Sequence, residues 1–482
     1  MLIELQMILP EIVLMSMACA LLVFDAFIPS ERRHLTYLLA QLTLLVTAVL
    51  VVGSFPQIVE YAFNDTFVDD PMSGAVKIFI LVITLFIFFY SHDYLKEHGI
   101  LRGEYFVLGL FAVLGMMIMA SAGSLLTIYL GLELLSLCLY AMVAMHRDSP
   151  PASEAAMKYF VLGALASGLL LYGISIIYGI SGTLDLQEIN NYILFNSERL
   201  PMLVYGLVFI IVAIAFKLGA VPFHMWIPDV YQGAPTSVTL FISSAPKIAA
   251  FAMTIRFVND AFMHLTPEWQ GMLIILSILS MAMGNIIAIA QSNIKRMLAY
   301  STIAHIGFLL LGIISSQSVS ATGITGFADA LFYVVTYALM SIGAFGFVIL
   351  MGRKGHEADN LDDYKGLADK NPWFALIMLI FMFSLAGVPP FVGFWAKWFV
   401  LKEIIAMGLT PLAVIAVVFS IIGAYYYLRV VKLMYFDKPV SMTAIKATQT
   451  MRAVISLNGL AILFLGVSPG LLMTFCIEVM KL

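Results

Sequence analysis

The residues best suited to chemistry in this sequence are five ionisable side chains set inside long apolar runs: Glu133, Lys217, Lys247, His305 and Lys397. An ionisable group at mid-membrane depth costs about 3 kcal/mol on insertion scales, so each needs a reason to be there. Burial disfavours the charged form of such groups. Alternating Lys, His and Glu, linked by water, can then hand a proton from one to the next. A Na⁺ or K⁺ site would gather carbonyls and carboxylates rather than three lysines. An anion path could use lysines, but Glu133 would oppose it. Proton transfer fits the set. Taken singly, a buried Glu or Lys serves equally well to hold two helices together, and a lone membrane His is often a packing residue. Five polar centres on five separate runs favour transport over a purely structural bundle.

Spacing adds neighbours to each centre. Tyr129, Ser136 and Tyr140 share a helical face with Glu133. His224 follows Lys217 by seven residues, two turns along one face of a continuous helix. Ser243 stands one turn before Lys247, and Ser301 one turn before His305. Pro222 and the pair Pro389-Pro390 would free backbone carbonyls in mid-helix, which must meet water or side chains. Helix breaks beside Lys217 and Lys397 would suit hydrated gates; a static kink is the plainer alternative. Glu11 reads as an isolated structural or interfacial charge.

The elements that must position these groups follow from composition. Of 482 residues, 62% are hydrophobic and 11% charged, against roughly 25% charged in an ordinary soluble domain. So few charges could not cover a soluble fold of this size. A net charge of −4 offers no basic footprint for nucleic acid. An all-α polytopic membrane protein is expected. Fourteen apolar runs are long enough to span: 6–26, 35–55, 74–91, 105–121, 123–145, 156–179, 201–222, 237–256, 270–290, 296–315, 326–351, 372–405 (broken), 410–436 and 451–476. The first lacks a positive n-region and reads as a retained helix. With the N-terminus outside, 17 of the 25 Lys and Arg residues fall in cytoplasmic loops and 5 on the external side, including Lys77 and Arg256. That bias supports fourteen helices with both termini outside. The segment Leu184–Asn196 reads as a short surface helix, and no separate soluble domain is evident. The three cysteines form no CxxC pair or cluster, so no metal or redox centre is expected in this chain.

A weak internal repeat is visible. Leu218, Val221 and Pro222 match Leu385, Val388 and Pro389 at one offset. Runs 4–8 and 9–13 are two sets of five, and an odd number of helices turns the second copy upside down. Inverted repeats with broken helices are a transporter pattern. The expected organisation is 1–100 (three helices), 101–257 (first repeat), 258–437 (second, inverted repeat) and 438–482 (loop and last helix).

Two stretches carry a resemblance. Phe216-Lys217-Leu218-Gly219-Ala220-Val221-Pro222-Phe223-His224-Met225-Trp226-Ile227-Pro228-Asp229-Val230-Tyr231 and Asn293-Ile294-Lys295-Arg296-Met297-Leu298-Ala299-Tyr300-Ser301-Thr302-Ile303-Ala304-His305-Ile306-Gly307 resemble the antiporter-like subunits of respiratory complex I, over essentially the whole chain. The run Asp229–Thr236 and Lys397, where the M type places a glutamate, resemble the N type of bacterial NADH:quinone oxidoreductase. The resemblance implies a proton-translocating membrane-arm subunit in the bacterial inner membrane, with both termini periplasmic. It implies that Glu133 pairs with Lys217, that Lys247 lies next on a hydrated axis, that His305 connects, and that Lys397 exchanges protons with the outside. Lys158, His224 and Tyr425, with Tyr426 and Tyr427, are further path candidates. Implied partners are the M-type subunit, the small K, J and A types, and the lipid bilayer. NADH, FMN, iron–sulfur clusters and quinone would belong to other subunits. The rival readings are a cation/proton antiporter subunit, a pump-inactive scaffold of the membrane arm, and the photosynthetic form of the complex, in which ferredoxin replaces NADH.

Overall fold

The computed structural model describes residues 2–29, 32–317, 325–352, 357–439, 445 and 447–481. Arg353, Lys354 and Lys446, counted above as cytoplasmic charges, lie outside the described residues.

Among the described residues, thirteen helical stretches are long and apolar enough to cross a membrane. The chain is an all-α polytopic membrane protein. Helix is the natural outcome, because a span in lipid must satisfy its own backbone groups. The run 372–405 forms two shorter helices, Pro372–Ala386 and Val392–Ala406. Helix starts follow the capping residues. Ser124 Oγ accepts from the backbone NH of Thr127 at 3.2 Å, and Asn293 Oδ1 from that of Arg296 at 3.0 Å. Ser149 caps a helix that opens on Pro150 and Pro151 and runs to Ser181, so it starts earlier than the apolar run 156–179 suggests.

The stretches Thr236–Ala261, Ile294–Ile314 and Gly326–Met351 are almost wholly buried and form the centre of the bundle. Leu9–Phe27 and His34–Gly53 leave most of their surface outward, as Leu22, Val23 and Val49 show. Two features escape hydropathy. The Thr236–Ala261 stretch is interrupted: one helix ends at Ile242, another starts at Ala245, and residues Arg256–Ala261 wind as a π-helix. The acidic segment after the second span folds as a hairpin, pairing Glu60 with Asp69, Tyr61 with Val68 and Ala62 with Phe67. Residues 186–195 form the expected short helix, burying Leu186, Ile189 and Ile193 on one face.

Burial in this hairpin pushes the Asp69 carboxyl up to about 6, although Lys77 beside it acts the other way. The closed hairpin therefore holds the proton more tightly than the open chain. Its stability should fall as pH rises from the ordinary aspartate range to about 6, then level off. Hydrogen exchange at Tyr61 and Val68, corrected for intrinsic rates, should show that profile, and Asp69→Asn should flatten it.

Candidate functional site

Two helix ends organise the interior. The helix Leu200–Leu218 stops where Gly219 turns left-handed, at φ +90. The helix Pro372–Ala386 stops the same way at Gly387, φ +85. Only glycine adopts this turn without strain. The two breaks correspond at Gly219 and Gly387, one residue out of register with the matched letters Leu218 and Leu385, because the turn glycine rather than the leucine fixes the stop. Each glycine is followed by a cis X–Pro bond, Val221-Pro222 and Pro389-Pro390.

A lysine closes each break, buried in the first case and half-buried in the second. Lys247 Nζ donates to the carbonyl of Leu218 at 2.8 Å. Lys397 Nζ donates to the carbonyl of Ala386 at 2.9 Å and to Ser420 Oγ at 2.9 Å. An ammonium at a helix C-terminus meets both the unpaired carbonyls and the negative end of the dipole. Lys247 also lies 5.3 Å from the Trp226 ring centre, and Lys397 lies 5.2 Å from that of Phe308.

Lys217, at the end of its helix, is buried and donates to Ser136 Oγ at 2.8 Å. Glu133, one turn before Ser136, instead accepts a hydrogen bond from Ser167 Oγ. The Glu133–Lys217 pair implied by family resemblance is thus not in contact: Ser136 holds the position next to the ammonium. Beside it lies a cavity of about 10 Å³, lined by Ser136, Tyr140, Ser167 and Lys217, room for about one water. A matching cavity of about 10 Å³ lies between His305 and Lys397, lined also by Asn285, Ser420 and Tyr427. His305 is held from both sides: Nδ1 lies 2.7 Å from Tyr333 Oη and Nε2 3.2 Å from Tyr427 Oη. Tyr427 in turn bonds Ser301.

Several expectations are corrected. His224 does not continue the Lys217 face, because the helix has already ended at Leu218. It is buried in the break, with Nδ1 unpartnered among the described residues. Ser243 is not one helical turn before Lys247, since the chain breaks between them. Ser243 accepts instead from Ser341 Oγ at 2.9 Å. Tyr425 is 58% exposed and points away from the interior, whereas Tyr426 and Tyr427 are buried. Lys158 is 43% exposed and ion-paired to Glu154 and Asp229, each at 2.7 Å. It lines a cleft of about 430 Å³ with Asp229, Lys295, Arg296, Glu357 and Asp359, a lining that does not include Lys217, Lys247 or Lys397. Glu11 is not isolated: its carboxylate lies 2.7 Å from Lys77 Nζ, both buried.

Lys77 and Arg256, counted among the external loop charges, are buried as well. Arg256 forms a two-point pair with Asp70 at 2.8 and 2.9 Å, and reaches Asp260 at 3.0 Å and the carbonyl of Ala120. These partners lie too far apart in sequence for spacing to reveal them. Tyr333 and Tyr337 also went unrecognised, although their four-residue spacing in an apolar run marks one helix face. Among the described residues no group of three or more His, Cys, Asp or Glu is placed to hold a metal ion.

Residues 122–423 match the transmembrane family described as NADH:quinone oxidoreductase/Mrp antiporter. NADH-quinone oxidoreductase subunit N of Thioalkalivibrio sulfidiphilus is 55% identical over 468 residues, covering 97% of this chain and 96% of the relative. The subunit of the same name from Herminiimonas arsenicoxydans is 54% identical over 476 residues, with the same coverage. A chain of respiratory complex I from Thermus thermophilus, solved with bound aureothin, superposes with a TM-score of 0.82. It is 31% identical, covering 97% of this chain and 99% of that one. The lysine-closed helix breaks therefore sit in a chain that belongs to the NADH:quinone oxidoreductase/Mrp antiporter family of transmembrane proteins.

Proposed function

We propose that this chain is a proton-translocating subunit of the membrane arm of an NADH–quinone oxidoreductase. NADH oxidation and quinone reduction take place in other subunits of that complex. One contrast carries the reading. Lys217 and Lys247 are buried and Lys397 is half-buried, yet among the described residues each meets hydroxyls or carbonyls and none forms an ion pair. The buried cations Lys77 and Arg256 are ion-paired, while Lys295, buried beside the charged cleft, donates to the carbonyl of Ala234 at 2.9 Å. A buried pair fixes charge and serves structure. A buried lysine with no carboxylate in direct contact can give up and regain a proton at modest cost.

In this reading Glu133, Lys217, Lys247, His305 and Lys397 carry protons along one internal axis, with Lys397 exchanging with the outside. His224 stands beside that axis, and Lys158 belongs to the charged cleft through which protons enter. The repeats 101–257 and 258–437 are inverted copies, each contributing one broken helix, at Pro222 and at Pro389-Pro390. Residues 1–100 and 438–482 flank them. Both termini are periplasmic in a bacterial inner membrane, and the neighbours are the M-type and the small K, J and A types of subunit. The family description also includes Mrp antiporters, which favours a cation/proton antiporter subunit as the second reading.

The test is Lys247→Met in the assembled complex, read as protons moved per electron in inverted membrane vesicles. We expect a loss of about tenfold in pumping, with assembly intact on a native gel. Wild-type pumping in that variant would overturn the reading. Pumping that needs Na⁺ would move it to the antiporter.

A further inference from the structure

Each carboxylate on the wall of the charged cleft is held by a partner other than Lys295. Asp229 meets Lys158 at 2.7 Å and Arg296 at 2.8 Å, and Glu154 meets Lys158 at 2.7 Å. Glu357 accepts from the hydroxyls of Tyr94 and Thr236, each at 2.6 Å, and Asp359 accepts from the Asn293 amide at 2.6 Å. Lys295 lines the same cleft, is buried, and among the described residues forms no ion pair. Its Nζ donates to the carbonyl of Ala234 at 2.9 Å. The residue stands second in the helix Ile294–Ile314. That is the positive end of the helix dipole, where a cation is disfavoured, and burial adds a desolvation cost.

A structural reason for the lysine would be the carbonyl it meets, since Ala234 ends the short helix Trp226–Gly233. Ala234 itself lines the cleft, however, so water there would serve the carbonyl without an ammonium. Capping alone therefore does not account for a lysine here. The opposite end of the same short helix carries the Trp226 ring, over which Lys247 Nζ lies at 5.3 Å. Lys295 thus stands where the cleft meets the helix that reaches the interior lysines.

We propose that Lys295 is the side chain that takes up protons from the cleft. The inference rests on the proton-translocation reading above and names the residue at which the cleft delivers protons to the interior. The neutral amine of Lys295 binds a proton from a hydronium ion in the cleft and leaves water behind. The ammonium later gives that proton to a water molecule on its inner side and becomes an amine again. One N–H bond forms and then breaks, and nothing is oxidised. Lys158 and Arg296, fixed by Asp229, hold the wall of the cleft and do not carry the proton.

The experiment compares Lys295→Arg, Lys295→Cys and Lys247→Met in the whole complex, in inverted vesicles that turn the cytoplasmic side outward. Readouts are protons per electron, assembly on a native gel, and thermal stability. Arginine keeps a cation and a donor for the Ala234 carbonyl but does not release its proton. Lys295→Arg should therefore assemble with near wild-type stability and lose about tenfold in pumping, a split that a purely structural role would not produce. Lys295→Cys should lose pumping as well. Treatment with 2-bromoethylamine, which rebuilds an amine of nearly lysine length on the thiol, should restore most of it, with treated wild type as the control and mass spectrometry to follow the alkylation. Wild-type pumping in Lys295→Arg would make the residue a fixed structural cation and overturn the proposal. So would a Lys295→Cys variant that pumps normally before treatment, or one whose thiol the reagent cannot reach from the cleft. If either result came with a Lys247→Met variant that fails to pump, the parent reading would stand without this residue. If Lys247→Met pumped normally, the parent reading would fail and this inference with it.

Discussion

Lys217→Met should abolish most proton pumping while leaving the complex assembled. Methionine keeps the length and apolar stem of lysine, so the packing near Leu218 and the break at Gly219 should survive. What disappears is the ammonium that donates to Ser136 Oγ. Because Ser136 also donates to the carbonyl of Leu132 at 2.7 Å, it remains satisfied without the lysine, and the structural cost should stay near 1 kcal/mol. The functional cost should be far larger, on the order of a hundredfold in coupled rate, the scale of removing one positioned proton-transfer group. Ser136→Ala offers a graded control. It keeps the ammonium but removes its partner, and should reduce pumping less. Protons per electron in inverted vesicles, with a native gel for assembly, decides the matter. Equal pumping in wild type and Lys217→Met would make this lysine a structural residue and bring the scaffold reading forward.

The second large effect concerns stability. Asp70→Ala should destabilise the protein by about 3–5 kcal/mol, because it leaves the Arg256 guanidinium buried beside a single remaining carboxylate. It also removes the cap in which Asp70 Oδ1 accepts from the backbone NH of Ser73 at 2.8 Å, worth about 1 kcal/mol. Asp70→Asn keeps an acceptor for both groups and should fall between wild type and alanine. Thermal unfolding in detergent gives the order, and the alanine variant should assemble poorly. Any complex that does assemble should pump normally, since Arg256 lies outside the unpaired lysine series. Unchanged stability in Asp70→Ala would mean that the two-point pair contributes nothing to the fold.

Membrane class and the approximate places of the spans were legible because hydropathy is a sum over many residues. The five ionisable residues inside apolar runs were legible for a related reason: a charge in an apolar run is conspicuous whatever surrounds it. Direction of contact was not legible. Helical spacing placed His224 on the Lys217 face and Ser243 below Lys247, and both assignments failed where the backbone leaves the helix, at Gly219 and at Ser243–Ser244. Periodicity cannot report where it stops applying. Proline marked both breaks, but the glycine turn sets where each helix ends. Tyr425, Tyr426 and Tyr427 looked equivalent as letters. A helix turns 100° per residue, so only Tyr426 and Tyr427 reach the interior. The pairs Lys77–Glu11 and Arg256–Asp70 were hidden for a third reason. Each joins residues that are remote in sequence, and each cation lay close enough to a span end to read as a loop charge.

The lysines at the two helix breaks have a mechanical consequence. Lys247 and Lys397 each hold the carboxyl end of a broken helix through its last carbonyls. A charged ammonium is attracted to that end by the helix dipole, and a neutral amine is not, although it can still donate a hydrogen bond. Occupancy by a single proton therefore changes the force on a helix end whose glycine turn has no Cβ to resist movement. By the same token, a neighbour that pulls on the helix end shifts the affinity of the lysine for its proton. The break thus acts as a transducer, converting charge into displacement and displacement back into charge.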